Sequence, residues 1–237
     1  MIRAFSVPGL ISISLLAVLM LPSTAFAGWN HLETEEGVEI YERQARHMGE
    51  QTVKAVVEVD APIGQVLTVF TDPEERKEWT YRAREQKVLQ IDGDEERKWL
   101  ERYWMRINMP FPISDRDYLV AKRYELHPEE RKLTAHIRSI NDDRKPDSGC
   151  CVRALSMMQY TLEAIPGENR TRVVLIAETD LRGNLSSGRL VRQNAPTWPR
   201  ETLRKLAERA EANDVPVDER VADWHEEDQP GKRGELR

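Results

Sequence analysis

Six segments of the chain alternate apolar and polar side chains, at 84–91, 95–107, 116–126, 132–140, 152–165 and 170–179. The links between them are Asp92-Gly93-Asp94, a proline-rich stretch at 108–115, His127-Pro128-Glu129-Glu130, a polar loop at 141–149, and Pro166-Gly167. No link carries a helical pattern, whereas parallel neighbours need a crossover of about a dozen residues or more. The sequence therefore predicts one antiparallel sheet.

Upstream, Gly37-Val38-Glu39-Ile40-Tyr41 and the run 51–59 read as a hairpin around His47-Met48-Gly49. Trp29 opens a polar segment before it. Asp60 is placed to cap a helix with Pro62 in its first turn, and Ile63, Val66, Leu67 and Phe70 form its apolar stripe. A second short helical piece runs to Trp79. The last helix carries Leu203, Leu206, Ala207 and Ala210 at i, i+3, i+4 and i+7, with Leu190, Val191 and Trp198 extending its apolar face upstream. Pro196 and Pro199 bend or break it there. From Asn213 the chain is polar and reads as a disordered tail.

Residues 1–27 match a secretory leader: Arg3, an apolar run from Leu10 to Leu21, and Ala25-Phe26-Ala27 before the cut. The domain plan is a leader at 1–27, one folded domain at 28–212 and a tail at 213–237. The mature protein is expected in the periplasm, with an uncleaved N-terminal anchor as the rival reading. The full chain holds 35 Lys and Arg against 41 Asp and Glu. Loss of Arg3 makes it more acidic still, against nucleic-acid binding. Cys150 and Cys151 read as free thiols, a vicinal or intermolecular disulfide being the alternatives. None of the histidines His31, His47, His127, His136 and His225 stands at metal-ligand spacing, and no serine elbow or phosphate loop occurs. No cofactor or metal is expected.

Strand 95–107 is the most informative. Trp99, Glu101, Tyr103 and Met105 share one face; if that face is interior, Glu101 needs a partner. Arg116, Tyr118, Val120, Lys122 and Tyr124 share a face of the next strand, so Arg116 or Lys122 is a candidate partner. Arg153, Leu155, Met157 and Gln159 share a face of the strand after the cysteines.

With these residues in view, the chain resembles the START family (steroidogenic acute regulatory protein-related lipid-transfer domains). The likeness rests on Trp29, Gly37 to Tyr41, Asp60-Ala61-Pro62, Trp79, Gly149 to Arg153, Gly183 and the Trp198-Pro199 to Leu206 helix. Its most specific part is Pro110-Phe111-Pro112-Ile113-Ser114-Asp115-Arg116-Asp117-Tyr118, and it spans about residues 29 to 212. The resemblance implies an α+β helix-grip fold, with a curved antiparallel sheet around a long C-terminal helix and an internal apolar tunnel. It implies a lipid or other hydrophobic ligand, oriented in sterol-binding members by an acidic and a basic residue on successive strands. Glu101 or Tyr103 falls near the acidic position. Lys122 stands where the family has arginine, and Leu185-Ser186-Ser187-Gly188-Arg189 departs from the family pattern before the last helix. The expected ligand-binding set is Trp99, Glu101, Tyr103, Met105, Tyr118, Val120, Lys122, Arg153, Met157, Leu203 and Leu206, the two leucines as lid contacts. Transient membrane contact and a monomer are expected. Two alternatives stay open: a helix-grip cyclase or hydrolase using Glu101 and Tyr103, and an interaction module working through the tail.

Overall fold

The computed structural model describes residues 28–94, 97–145, 149, 151–183 and 195–225. The predicted leader, Cys150, the stretch 185–189, Leu190, Val191 and residues 226–237 lie outside them. Among the described residues, ten strands form one sheet: β1 Asn30–Glu35, β2 Val38–Gln44, β3 Gln51–Val59, β4 Ala83–Asp94, β5 Lys98–Ile107, β6 Arg116–His127, β7 Lys132–Ser139, β8 Val152–Arg153, β9 Leu155–Ala164 and β10 Thr171–Asp180. Helices α1 (Ile63–Thr71) and α2 (Pro73–Trp79) join β3 to β4, and α3 (Thr197–Ala210) follows β10.

The spatial order is β1-β2-β3-β10-β9-β7-β6-β5-β4, antiparallel along the whole path. The first hairpin thus adds to the last long strand, and the sheet curls around α3, which packs against β2, β3, α1 and α2. This is the helix-grip arrangement. The short β8 departs from it, running parallel to β6 through Arg116–Val152 and Asp117–Arg153. Alternation explains the strands: Val38 and Ile40, then Ala55, Val57 and Val59, then Leu133, Ala135 and Ile137 all turn inward and are buried.

Two expectations fail locally, and one strand, β1, is not among those predicted. Gly93 sits inside β4, paired with Trp99, so the turn falls later than Asp92-Gly93-Asp94. β1 is polar and mostly exposed; it is held by its ladder to β2 rather than by an apolar face. Asp60 does not cap α1. Its carboxylate accepts from Arg170 Nε at 2.9 Å, and the Ile63 N–H instead donates to His225 Nε2 at 2.6 Å.

That histidine belongs to the stretch expected to be tail. Val215, Val221 and Trp224 are buried, so the folded unit extends past 212 at least to His225. Gln65 donates to the Val215 carbonyl (2.9 Å) and the Asp218 N–H to the Gly64 carbonyl (3.2 Å). Gly64 permits this approach, since a Cβ there would lie 2.5 Å from Val217 Cγ1. His225 Nδ1 lies 2.9 Å from the Glu168 carbonyl, which can only accept. The proton therefore sits on Nδ1, and Nε2 is free to cap the helix.

Candidate functional site

A cavity of about 620 Å³ lies between the sheet, α2 and the start of α3, within the roughly 300–1,000 Å³ typical of small-molecule sites. Its wall is the inward face of the strands: Val53 on β3, Tyr103, Met105 and Ile107 on β5, Tyr118, Val120 and Lys122 on β6, Ile137 on β7, Ser156, Met158 and Tyr160 on β9, and Ala177 on β10. The rim is built by Glu50-Gln51, by Met109 to Ile113, and by Ala195 and Thr197-Trp198-Pro199.

One part of the wall is polar. Arg76, buried on α2, donates from Nη1 to Glu101 Oε1 at 2.8 Å and from Nη2 to Oε2 at 2.6 Å. The Tyr124 hydroxyl donates to Oε2 at 2.9 Å, and the guanidinium lies 4.3 Å from the Tyr103 ring centroid. Burial works against the Arg76 charge, but Tyr124, Tyr103 and Glu101 outweigh it and hold the arginine's pKa above its ordinary value. Lys122 stands opposite Glu101 in the β5–β6 register yet does not pair with it. Its Nζ donates to the Phe70 carbonyl at 3.3 Å and sits 3.5 Å from the Phe70 ring centroid. Burial, reinforced by Arg76 and opposed by Glu101, pushes the lysine's pKa well down. Burial likewise raises Tyr118 and Tyr160, and Tyr103 to about 12, so all three remain hydroxyl donors at neutral pH.

Of the predicted residues, Tyr103, Met105, Tyr118, Val120 and Lys122 line the cavity. Six do not. Trp99 stacks on Tyr124 (centroids 4.3 Å apart) and is covered by Arg220, so it fills core beyond the cavity. Glu101 is screened behind Arg76, which replaces both Arg116 and Lys122 as its partner. Arg116 instead donates to the carbonyls of Ser114, Leu181 and Arg182. Arg153 pairs with Asp117, which also accepts from Trp104 Nε1, so it is not a cavity residue. Met157 stands on the opposite face: Ala154, Ser156, Tyr160, Leu162 and Ala164 are buried in unbroken alternation, and Ser156, Met158 and Tyr160 face the cavity, whereas the odd residues from Arg153 to Gln159 turn away from it. Leu203 and Leu206 are fully buried core residues of α3; its first turn supplies Thr197, Trp198 and Pro199 instead. Arg76 was missed. In Pro-Glu-Glu-Arg-Lys-Glu-Trp it reads as solvated, but it lies three residues before the buried Trp79, on the same helical face.

The Pro-Phe-Pro loop is pinned from below. Asp115 accepts from the Met109 N–H at 3.1 Å and from Arg106 Nε at 2.8 Å, and these bonds with Arg84 lower its pKa. The loop leaves Phe111 97% exposed at the cavity rim.

The START domain family profile matches residues 15–204, most of the chain. The chain belongs to the START domain family. START domains bind lipids and transfer them. This START domain is similar to the phosphatidylcholine transfer protein of Mus musculus, 27% identical over 163 residues that cover 67% of this chain and 73% of the relative. To the Homo sapiens phosphatidylcholine transfer protein it is 28% identical over 147 residues, covering 61% and 64%. In fold it is similar to human StAR-related lipid transfer protein 5, with a TM-score of 0.70 at 17% identity over 79% of this chain and 88% of that one. The StAR-related lipid transfer protein from Xanthomonas axonopodis gives 0.65 at 20% identity over 78% and 99%.

Proposed function

We propose that this START domain carries one lipid-like molecule in the cavity and moves it across the bacterial envelope space after removal of its leader. The observation that carries this reading is an apolar cavity of small-molecule size with a polar cluster in its wall. Binding is driven by burial, worth about 0.8 kcal/mol per methylene taken from water. Affinity should therefore rise on the order of fourfold per added chain carbon until the cavity is full. The gate is the first turn of α3 with the Met109–Ile113 loop, since Leu203 and Leu206 are locked in the core.

Phe111 is the membrane contact in this reading, because an exposed aromatic at the cavity mouth gains burial by entering a lipid surface. Phe111→Asp is expected to weaken vesicle binding roughly tenfold or more, measured by co-sedimentation. The function is tested by following a fluorescent phospholipid from donor to acceptor vesicles. Transfer should increase in proportion to protein; no increase over spontaneous exchange opposes the proposal. The enzymatic alternative loses its acid, because both Glu101 oxygens are engaged by Arg76 and one also by Tyr124. A purely tail-based interaction module is disfavoured by the burial of Val215, Val221 and Trp224.

A further inference from the structure

The buried charges at the cavity wall do not balance. Arg76 and Glu101 answer each other through two hydrogen bonds. Lys122 has no carboxylate within ion-pair reach among the described residues. An ammonium has three donors; here one meets the Phe70 carbonyl, the last turn of α1, and an aromatic face takes part of the charge. The neighbouring hydroxyls on the wall can donate as well as accept. The hydroxyls of Tyr103 and Tyr160 make no hydrogen bond among the described residues, and Ser156 Oγ is buried without a partner. A buried amine without a carboxylate partner, beside hydroxyls free to donate, suits a ligand group that accepts and is negative. A carboxylate meets both conditions, with two oxygens and about four acceptor positions.

Resting on the lipid-carrier reading, we infer that the cavity selects a long-chain carboxylic acid, its carboxylate paired with Lys122 Nζ and its chain laid along Met105, Val120 and Ile137. The depressed lysine pKa agrees with a site whose counter-charge arrives with the ligand. Removing the lysine relieves the cost of burying an amine without a carboxylate partner, so Lys122→Met should fold and melt at a higher temperature than the wild type.

The test is titration calorimetry of the whole protein with palmitate and methyl palmitate, which share a chain and differ in charge, and with a short-chain phosphatidylcholine. The wild type should bind the acid roughly tenfold or more tighter than the ester, as expected for one hydrogen-bonded charge pair. Lys122→Met should bring that ratio close to one. A wild-type ratio near one, or a preference that survives Lys122→Met, overturns the inference. Uptake of phosphatidylcholine with no uptake of palmitate overturns it while leaving the carrier reading intact. No uptake of any of the three overturns both.

Discussion

Glu101→Ala is expected to cost about 3–5 kcal/mol of folding stability, read from urea unfolding of the wild type and the variant. The loss is large because it leaves a guanidinium that is 1% exposed with no other carboxylate paired to it among the described residues. Tyr124 loses its acceptor in the same step. Native domains are stable by about 5–15 kcal/mol, so the substitution removes a substantial share of the total. Combining Arg76→Met with Glu101→Leu should recover most of the loss, since an apolar pair of similar volume often matches or exceeds a buried ion pair. If Glu101→Ala unfolds with an unchanged midpoint, the pair does not hold α2 against β5.

The second large effect concerns the C-terminal stretch. Truncation after Ala212 is expected to abolish cooperative thermal unfolding, whereas a chain ending at His225 keeps the contacts described above and should melt normally. Trp224→Ala alone should cost about 3–5 kcal/mol, by loss of a buried indole and the cavity it leaves. Val215 and Val221 add about 1.5–3 kcal/mol each. Their sum approaches the whole stability of a typical domain. Loss of His225 also uncaps α1, whose first N–H it accepts. A cooperative transition that survives truncation after Ala212 would show that the segment decorates the fold rather than completing it.

Strand faces were legible wherever alternation ran unbroken. In β5 the odd residues Trp99 to Ile107 turn inward as the pattern requires, and Glu101 with them. In β9 both faces carry apolar residues near its start, Leu155 and Met157 on one and Ala154 and Met158 on the other, so only Tyr160, Leu162 and Ala164 further along mark the inward, even face. The partner of Glu101 was hidden for another reason. Charge on a short helix between Glu75 and Lys77 is indistinguishable in sequence from a solvated face, and only the packing of α2 on β4 and α3 turns Arg76 inward. The C-terminal stretch was misread because its three buried apolar residues are spread over ten positions among charges. Such spacing matches neither helical nor strand periodicity. The fold was thus written in local pattern, while the ion pair and the cap of α1 depend on contacts between residues far apart in the chain.

The most direct measurement is native mass spectrometry of the whole protein purified from cells, with identification of anything released on denaturation. The expected spectrum shows the chain carrying one hydrophobic molecule, at near-equal molar amount. A spectrum of the bare chain alone, from protein that also takes up no fluorescent lipid, would contradict the lipid-carrier function.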